Sequence, residues 1–262
     1  MICLKAAGKT DIGRIRAVNE DRAFFTTGLS GYALAIVADG MGGHQAGDVA
    51  SEMAIDLITK HLGERIQEGM TAVQASELLR ESILFANDQV FEYAAQQIQL
   101  HGMGTTVVAA LATPEVLIVA HIGDSRAYRL DRAGLVKLTE DHSLVNELLK
   151  NGQITPEEAS NHPRRNVLTR ALGTEPDADA DVNVFFWEPG DQLLLCTDGL
   201  SGLVSERDIA RIVSESNSLE KTVDGLIDSA LKAGGDDNVT VVLLVNDEIG
   251  MNQESGVSEH DR

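Results

Sequence analysis

The chain has 262 residues, 43% of them hydrophobic, and a formal net charge of −20 at pH 7. This length accommodates one large domain or two small ones, and the apolar content is enough for a sizeable core. So strong a negative charge argues against nucleic acid as a partner, because phosphate backbones bind basic surfaces. We interpret most of the acidity as a solvated surface that helps solubility, with part of it available to divalent cations.

The cysteines and the hydropathy pattern bear on the compartment. Cys3 lies near the N-terminus and Cys196 lies within an apolar run, so the two form neither a disulfide framework nor a zinc motif. No apolar run reaches about 18 residues and the N-terminus has no long apolar segment, which predicts neither a transmembrane helix nor a signal peptide. We therefore expect a cytoplasmic protein.

The first part of the chain predicts two strands around a polar loop, and then a third strand. Residues 1–30 place a charge-dense stretch between two short apolar runs. Within it Arg16, near Glu20 and Asp21, reads by itself as a surface ion pair, an interaction worth about 0–1 kcal/mol. The next apolar run predicts a buried strand that stops at Asp39, followed by a glycine-rich turn.

Two amphipathic helices and a set of short strands follow. Apolar residues recur at helical spacing over 47–62 and 71–98, which predicts an antiparallel helical layer joined around Gly69. Residues 102–138 switch to short strands with tight turns, the pattern of an antiparallel meander. Residues 139–181 hold three of the five prolines and two short helix patterns, and are a candidate flap.

The last part of the chain returns to regular elements. Residues 182–187 and 192–197 predict a β-hairpin. Two amphipathic helices, which begin near Ser205 and Ser218, precede a final strand over 239–245. This order lacks the βαβ alternation of a doubly wound fold. It predicts an α+β fold in which two antiparallel sheets carry helices on their outer faces.

Four aspartates stand beside or near glycine at the ends of apolar strands: Asp39, Asp124, Asp198 and Asp237. Any one of them is ordinary turn chemistry. Four carboxylates brought to one place would repel each other unless cations lay among them, so together they favour a metal site. Oxygen-only ligands select hard cations such as Mg²⁺ or Mn²⁺, and the few histidines and unpaired cysteines argue against zinc.

Three other motifs do not meet their own requirements. The glycine-rich segment 40–47 lacks the Lys-Ser/Thr of a phosphate-binding loop, and residues 199–202 are one residue short of a nucleophile elbow. Residues 141–143 (Asp-His-Ser) have the residue types of a catalytic triad, but sequence neighbours cannot easily adopt its geometry. We interpret His44 and His121 as structural, or as support for metal ligands, rather than as ligands themselves.

Six motifs appear in one order over about residues 8–246. They are 16–21 (RAVNED), 37–44 (VADGMGGH), 102–106 (GMGTT), 122–126 (IGDSR), 196–200 (CTDGL) and 235–240 (GDDNVT). Any one of these is weak, but together and in this order they resemble the PPM (PP2C-type) metal-dependent Ser/Thr protein phosphatases. The compact bacterial members of that family are the most similar.

The resemblance implies an α-β-β-α sandwich with a binuclear Mn²⁺ or Mg²⁺ centre at one end and a small flap subdomain beside it. By position in the motifs, Asp39 would bridge the two ions, and Asp198 and Asp237 would hold the first. The carbonyl of Gly40 and the carboxylate of Glu20, directly or through water, would serve the second ion.

Three further roles follow from the same resemblance. Arg16 would clamp the substrate phosphate, which replaces its interpretation as part of a surface pair. Asp21 would hydrogen-bond to metal-bound water. Asp124, together with Asp198, matches the third metal site of the bacterial members.

The implied activity is hydrolysis of phosphoserine and phosphothreonine in proteins. A water or hydroxide that bridges the two ions would attack phosphorus in line, so no covalent phosphoenzyme is needed. Met41 stands where eukaryotic members carry a histidine proposed to protonate the leaving group, a difference that bacterial members share. The general acid is therefore left open, and our hypothesis is a metal-bound water, on the third metal.

We expect one phosphatase domain over residues 1–246, with the flap at about 141–172, and a polar, disordered tail over 247–262. The expected partners are phosphorylated proteins and a cognate bacterial Ser/Thr kinase whose action the enzyme opposes. We expect a monomer that binds neither nucleic acid nor membranes.

Other functions stay open at this point. A non-catalytic binding module should have lost some of the metal carboxylates, and none is missing from the motifs. A metal-dependent phosphatase of small phosphate esters would share every motif. Dephosphorylation of an anti-sigma antagonist is a further role, although the related phosphatases of those pathways usually lack the flap.

Overall fold

Two antiparallel sheets stack face to face in the computed structural model, with helices on the outer face of each, so the predicted fold class is confirmed. The structure describes residues 4–42, 46–216 and 218–247. The described strands are β1 (Leu4–Asp11), β2 (Asp21–Leu29), β3 (Tyr32–Met41), β4 (Gly104–Thr105), β5 (Val107–Ala112), β6 (Val116–Ile122), β7 (Arg126–Asp131), β8 (Gly134–Lys137), β9 (Asp181–Phe186), β10 (Gln192–Cys196) and β11 (Val239–Asn246). The described helices are α1 (Ala46–Gly63), α2 (Ala72–Ala95), α3 (Leu144–Lys150), α4 (Pro156–Ser160), α5 (Asp198–Ser201), α6 (Glu206–Glu215) and α7 (Leu219–Ala233), with a 3-10 turn over Ile98–Leu100.

Apolar side chains fill three layers of the sandwich. The first sheet has the strand order β1-β11-β10-β7-β8 and packs against α6 and α7. The second has the order β2-β3-β5-β6-β9, with β4 paired to β3, and packs against α1 and α2. Val37, Val119, Leu195 and Val242 lie between the sheets and are fully buried. Because both faces of each sheet are covered, the central strands are almost continuously apolar.

The two long helices, α1 and α2, form where the sequence predicts them. In α1, Ala50, Ala54 and Ile58 repeat at helical spacing, share one face and are fully buried against the second sheet. Helix α2 begins at a capping box, in which the Thr71 hydroxyl accepts from the Gln74 N–H and the Gln74 side chain accepts from the Thr71 N–H. This reciprocal pair satisfies two backbone donors and fixes the start of the helix.

The predicted hairpin between residues 182–187 and 192–197 is wrong. Strand β9 pairs with β6 in the second sheet, whereas β10 lies between β7 and β11 in the first. The connection crosses between the sheets, where the buried indole of Trp187 donates to the carbonyl of Thr113 at 2.7 Å. The turn residues are present as predicted, but a turn does not decide whether the strands it joins belong to one sheet.

The predicted meander over 102–138 is wrong in one respect for the same reason. The pairs β5–β6 and β7–β8 form hairpins, but the chain changes sheets between β6 and β7. The change occurs at Gly123, whose φ of +106° is a backbone conformation that favours glycine. It places Asp124 at the point where the chain passes from one sheet to the other.

The segment between β8 and β9 contains α3 and α4, in the region predicted as a flap. Isolated antiparallel bridges join Ser143 to Leu168 and Thr105 to Leu172, so the end of this segment returns beside β4. Helix α5, directly after β10, was not predicted. Within the described ranges, no helix has the length and apolar character needed to cross a membrane. His44 and the predicted tail from residue 248 onward lie outside the described residues.

Candidate metal centre

Four predicted acidic residues lie where strands begin or end. Asp21 is the first residue of β2 and is the cross-strand partner of Asp39, near the end of β3. Asp198 begins α5 directly after β10, and Asp237 lies just before β11. Because β2 and β3 are neighbours in one sheet and β10 and β11 in the other, both sheets contribute carboxylates to the same place.

One cavity of about 210 Å³ brings the predicted residues together. Its walls include seven of the eight: Arg16, Glu20, Asp39, Gly40, Asp124, Asp198 and Asp237. The eighth, Asp21, is 1% exposed, and its charge acts on the pKa of Asp39 from beneath the cavity wall. Asn166 and Leu168, from the segment between β8 and β9, also line the cavity.

Burial and mutual repulsion raise the pKa values of these carboxyl groups. The pKa of Asp39 lies well above its ordinary value, first because of burial and then because of the charges of Asp21 and Asp198. Burial also raises the pKa of Asp198, with a further contribution from Asp237. The pKa values of Asp21 and Asp124 rise to about 7, again chiefly through burial. Positive charge among these carboxylates would lower the free energy of their ionised forms.

Several buried carboxylate oxygens have no hydrogen-bond partner in the described part of the chain. They are Oε1 of Glu20 and the Oδ1 atoms of Asp21, Asp48 and Asp198. Buried polar atoms are nearly always paired, so these oxygens call for a cation or an ordered donor. A set of carboxylate oxygens is the ligand chemistry of Mg²⁺ and Mn²⁺. The residues present therefore fit a site for divalent cations.

Asp48 is a residue that the sequence reasoning missed. Burial raises the pKa of Glu20, and the charge of Asp48 in the first turn of α1 adds to this effect while Arg16 opposes it. Gly47 has no room for a side chain, since a Cβ would lie 2.8 Å from the backbone carbonyl carbon of Gly40 and 2.6 Å from Oε1 of Glu20. An acidic residue in a first helical turn is ordinary helix stabilisation, so nothing in the spacing of Asp48 indicates that it acts on Glu20.

Arg16 reaches the cavity from the loop between β1 and β2. Its Nη2 donates to Oδ2 of Asp237 at 2.7 Å, and its side chain is about half exposed. The partner is thus Asp237, rather than Glu20 or Asp21 as in the surface pair first considered. A half-exposed guanidinium at an acidic cavity provides a fork of donors for an oxyanion held there.

Asn238 fixes the loop that carries Arg16, and sequence reasoning missed it as well. Its Nδ2 donates to the carbonyls of Ile12 at 2.9 Å and Val18 at 3.0 Å, and its Oδ1 accepts from the N–H of Glu20 at 2.8 Å. The side chain is buried, so these three bonds hold the loop against the start of β11. Only the folded chain shows this contact, since its partners are more than 200 residues away in sequence.

A second group of potential ligands lies outside the cavity. His121, His142 and Asp181 each have an atom within 4.8 Å of the others, close enough for one ion. Hydrogen bonds already occupy them: Nδ1 of His142 accepts from a backbone N–H at 3.1 Å, and Nε2 of His121 lies 2.8 Å from the carbonyl of Glu140. The rings of the two histidines stack, with centroids 4.6 Å apart. Hydrogen bonds and ring stacking thus hold His121 in place, and its interpretation as structural stays a prediction.

Residues 141–143 do not form a catalytic triad, because their side chains make other contacts. The carboxylate of Asp141 pairs with Arg126, with Nη2 and Oδ2 2.6 Å apart, and does not orient His142. The hydroxyl of Ser143 accepts from the N–H of Asn146 and caps α3. Neither residue offers the nucleophile or the orienting group that a triad requires.

Comparisons with known proteins agree with this geometry. The family model described as protein phosphatase 2C matches residues 14–233. The serine/threonine phosphatase stp of Listeria monocytogenes is 43% identical over 244 residues, which cover 93% of this chain and 96% of that protein. Protein phosphatase PhpP of Streptococcus pneumoniae is 38% identical over 246 residues, which cover 94% and 96% of the two chains.

Solved structures show the same likeness. The serine/threonine phosphatase PstP/Ppp of Mycobacterium tuberculosis superposes with a TM-score of 0.84 at 36% identity, covering 94% of this chain and 99% of that one. The catalytic domain of PstP in complex with two manganese ions has a TM-score of 0.82 at 34% identity, with the same coverage.

The chain therefore belongs to the protein phosphatase 2C family. It is accordingly a protein phosphatase, an enzyme that hydrolyses phosphoric monoesters of proteins.

Proposed function

We propose that this chain dephosphorylates phosphoserine and phosphothreonine in proteins, using divalent cations held in the acidic cavity. The observation that carries the proposal is the convergence of seven predicted residues on one cavity whose buried carboxylates include unpartnered oxygens. The names of the similar proteins from Listeria and Mycobacterium support the serine/threonine class.

We propose that the carboxylates hold two principal ions, Mn²⁺ or Mg²⁺. Asp39 would bridge them, and Asp198 and Asp237 would hold the first, while Glu20 and the carbonyl of Gly40 would serve the second. Two such cations supply Lewis acidity, because they lower the pKa of a water between them and offset charge on a phosphoryl group. The two manganese ions of the PstP complex support this assignment.

Asp124 and Asp198 would hold a third ion. Both line the 210 Å³ cavity, and the charge of Asp198 adds to burial in raising the pKa of Asp124. The same two residues also line the adjoining cavity under α3 and α4. A third cation there would lie between the principal site and the segment between β8 and β9.

The chain's own polar groups would bind the substrate phosphate and hydrogen-bond to water in the site. Arg16 would exchange its pair with Asp237 for the phosphate oxygens, which places two donors on one side of the phosphoryl group. Asp21 accepts a hydrogen bond from the Thr197 hydroxyl at Oδ2, which leaves Oδ1 free to accept a hydrogen bond from a water held in the site. Met41 lines the cavity and cannot donate a proton, so the leaving-group proton must come from another source.

A direct attack of water on the phosphate ester agrees with the burial of Cys196, which excludes its thiol as an alternative nucleophile. Cys196 is fully buried, and burial raises the pKa of its thiol to about 12, so it is not a nucleophile at neutral pH. Asn166 and Leu168 line the cavity, which supports a role for the predicted flap, residues 141–172, in the choice of substrate. An opposing Ser/Thr kinase, a monomeric state and a cytoplasmic location remain predictions.

The experiment is phosphate release from a phosphothreonine peptide, with Mn²⁺ and with EDTA. Wild type should release phosphate only with the metal, and Asp39→Asn should abolish the release because the bridging carboxylate is lost. The matched control is Asp88→Asn, since Asp88 is exposed on α2 and should leave the rate unchanged. Absence of release by wild type with bound Mn²⁺ would contradict the proposal.

A parallel assay addresses the runner-up, a phosphatase of small phosphate esters. The catalytic efficiencies for phosphopeptides and for a small aryl phosphate are compared at equal Mn²⁺ concentration. A higher efficiency with the small ester than with every peptide would favour that alternative.

A further inference from the structure

The segment Asp141-His142-Ser143 joins the flap region to the body of the protein, although it is not a triad. Asp141 binds Arg126 on β7 and Ser143 caps α3, so both neighbours of His142 are anchored. His142 is 4% exposed. A buried histidine with fixed neighbours has one orientation, and its two ring nitrogens can therefore be assigned to particular partners.

Both polar backbone groups of Gly123 are held by His142. The N–H of Gly123 donates to Nδ1 of the ring at 3.1 Å, and the carbonyl of Gly123 accepts from the backbone N–H of His142 at 2.9 Å. Because Nδ1 is an acceptor, the proton of the neutral ring lies on Nε2. That nitrogen lies 3.3 Å from Oδ2 of Asp181, whose other oxygen binds Arg170 at 2.9 Å.

The opposite side of Gly123 packs against Thr106. A Cβ on Gly123 would lie 2.6 Å from the Cβ of Thr106, so Gly123 packs too closely against Thr106 to move toward it. The Thr106 hydroxyl hydrogen-bonds with that of Ser125 at 2.7 Å and accepts from the N–H of Asp39 at 3.1 Å. The turn that presents Asp124 is thus held between His142 on one side and the strand of Asp39 on the other.

From these contacts we propose that His142 is a positioning residue for Asp124. Its Nδ1 bond to Gly123 fixes the turn that presents Asp124 to the cavity, and its Nε2 contact with Asp181 sets the tautomer that makes this bond available. The flap region and the metal centre are thereby coupled through one side chain. The inference rests on the proposed function only in that Asp124 is taken as a cation ligand.

Groups that support a metal ligand typically change metal affinity by about 10- to 100-fold when they are removed. Two substitutions separate the contacts of His142, because an Asn oxygen can replace Nδ1 and a Gln nitrogen can replace Nε2. His142→Asn keeps an acceptor for the Gly123 N–H, while His142→Gln keeps the contact with Asp181 and loses that acceptor. The control is His101→Gln, at an exposed histidine away from the cavity.

Mn²⁺ affinity by calorimetry and amide exchange of residues 121–126 are the readouts for the full chain. His142→Gln should lose at least tenfold in the affinity of its weakest Mn²⁺ site and at least tenfold in Gly123 protection. His142→Asn and His101→Gln should stay within about threefold of wild type. Equal losses in the Asn and Gln variants, or wild-type values in both, would overturn the proposal.

A measurement on wild type keeps the proposal testable even if a variant does not fold. Long-range proton–nitrogen NMR spectra of the metal-free protein should show His142 protonated at Nε2. Protonation at Nδ1 would overturn the proposal, and so would a shift of its ring nitrogens on adding Zn²⁺, which would make this cluster a metal site. None of these readouts requires turnover. An inactive wild type would therefore refute the proposed function without deciding whether His142 positions Asp124, and the readouts above decide that independently.

Discussion

Replacing Asp124 with asparagine should stabilise the metal-free protein at alkaline pH. Burial and nearby charges raise the pKa of this carboxyl from 3.8 to about 7 in the folded chain. At ~1.4 kcal/mol for each pKa unit, ionising it in the fold costs up to about 4 kcal/mol more than in the unfolded chain. The folded carboxyl keeps its proton up to about pH 7, whereas the unfolded chain loses it near pH 3.8. The stability that this group contributes is therefore fully present below pH 3.8, and it is lost as the pH rises through 7. Asparagine has no proton to lose and avoids this loss.

The assay is urea unfolding of wild type and Asp124→Asn in EDTA at pH 4 and pH 8. The variant should gain up to about 4 kcal/mol over wild type at pH 8 relative to the difference at pH 4. With saturating Mn²⁺ the order should reverse, because the variant binds the cation less well and loses linked stabilisation. Asp88→Asn, exposed on α2, serves as the control. An unchanged difference between pH 4 and pH 8 in EDTA would refute the repulsion argument.

Three further substitutions test other contacts. Arg16→Ala should lower kcat/KM for a phosphopeptide about 10- to 100-fold, because a charged hydrogen bond is worth about 1.5–3 kcal/mol. Steady-state kinetics measure this change. An equal loss in the control variant Arg14→Ala would contradict a specific role of Arg16 in binding the phosphate. Asn238→Ala should lower stability by about 2–4 kcal/mol in urea unfolding, since it removes three buried hydrogen bonds, and a loss below 0.5 kcal/mol would contradict its role in holding the loop. Burial, with the neighbouring His121, lowers the pKa of His142 to about 4. The ring in the unfolded chain is therefore protonated below about pH 6.5, whereas the folded ring stays neutral down to about pH 4. Wild type should therefore lose about 3 kcal/mol more than His142→Asn between pH 7 and pH 4, and parallel stability curves would show that the folded ring is not held neutral.

The outer parts of the fold were predictable because their signals are local. The helical spacing of Ala50, Ala54 and Ile58 and the capping box at Thr71 depend only on nearby residues. The assignment of strands to sheets was not local. The turn before β10 looked like a hairpin turn, but the pairing of β9 with β6 and of β10 with β11 is set by packing between the sheets around Trp187.

The candidate site divides in the same way. Asp39, Asp124 and Asp198 could be selected because each interrupts or follows an apolar run, and the structure brings them to one cavity. Asn238 and Asp48 could not be selected, since their partners lie far away in sequence or in another element. A buried amide that hydrogen-bonds to a distant loop has no periodicity or spacing by which a sequence would reveal it.

The most direct test of the proposed metal centre is anomalous diffraction at the manganese absorption edge from crystals grown with MnCl₂. The proposed binuclear centre predicts two strong peaks in the cavity, one of them within coordination distance of Asp39, Asp198 and Asp237, and a further peak beside Asp124 at higher Mn²⁺ concentration. Peaks confined to His121, His142 and Asp181, or an empty cavity at millimolar Mn²⁺, would contradict it.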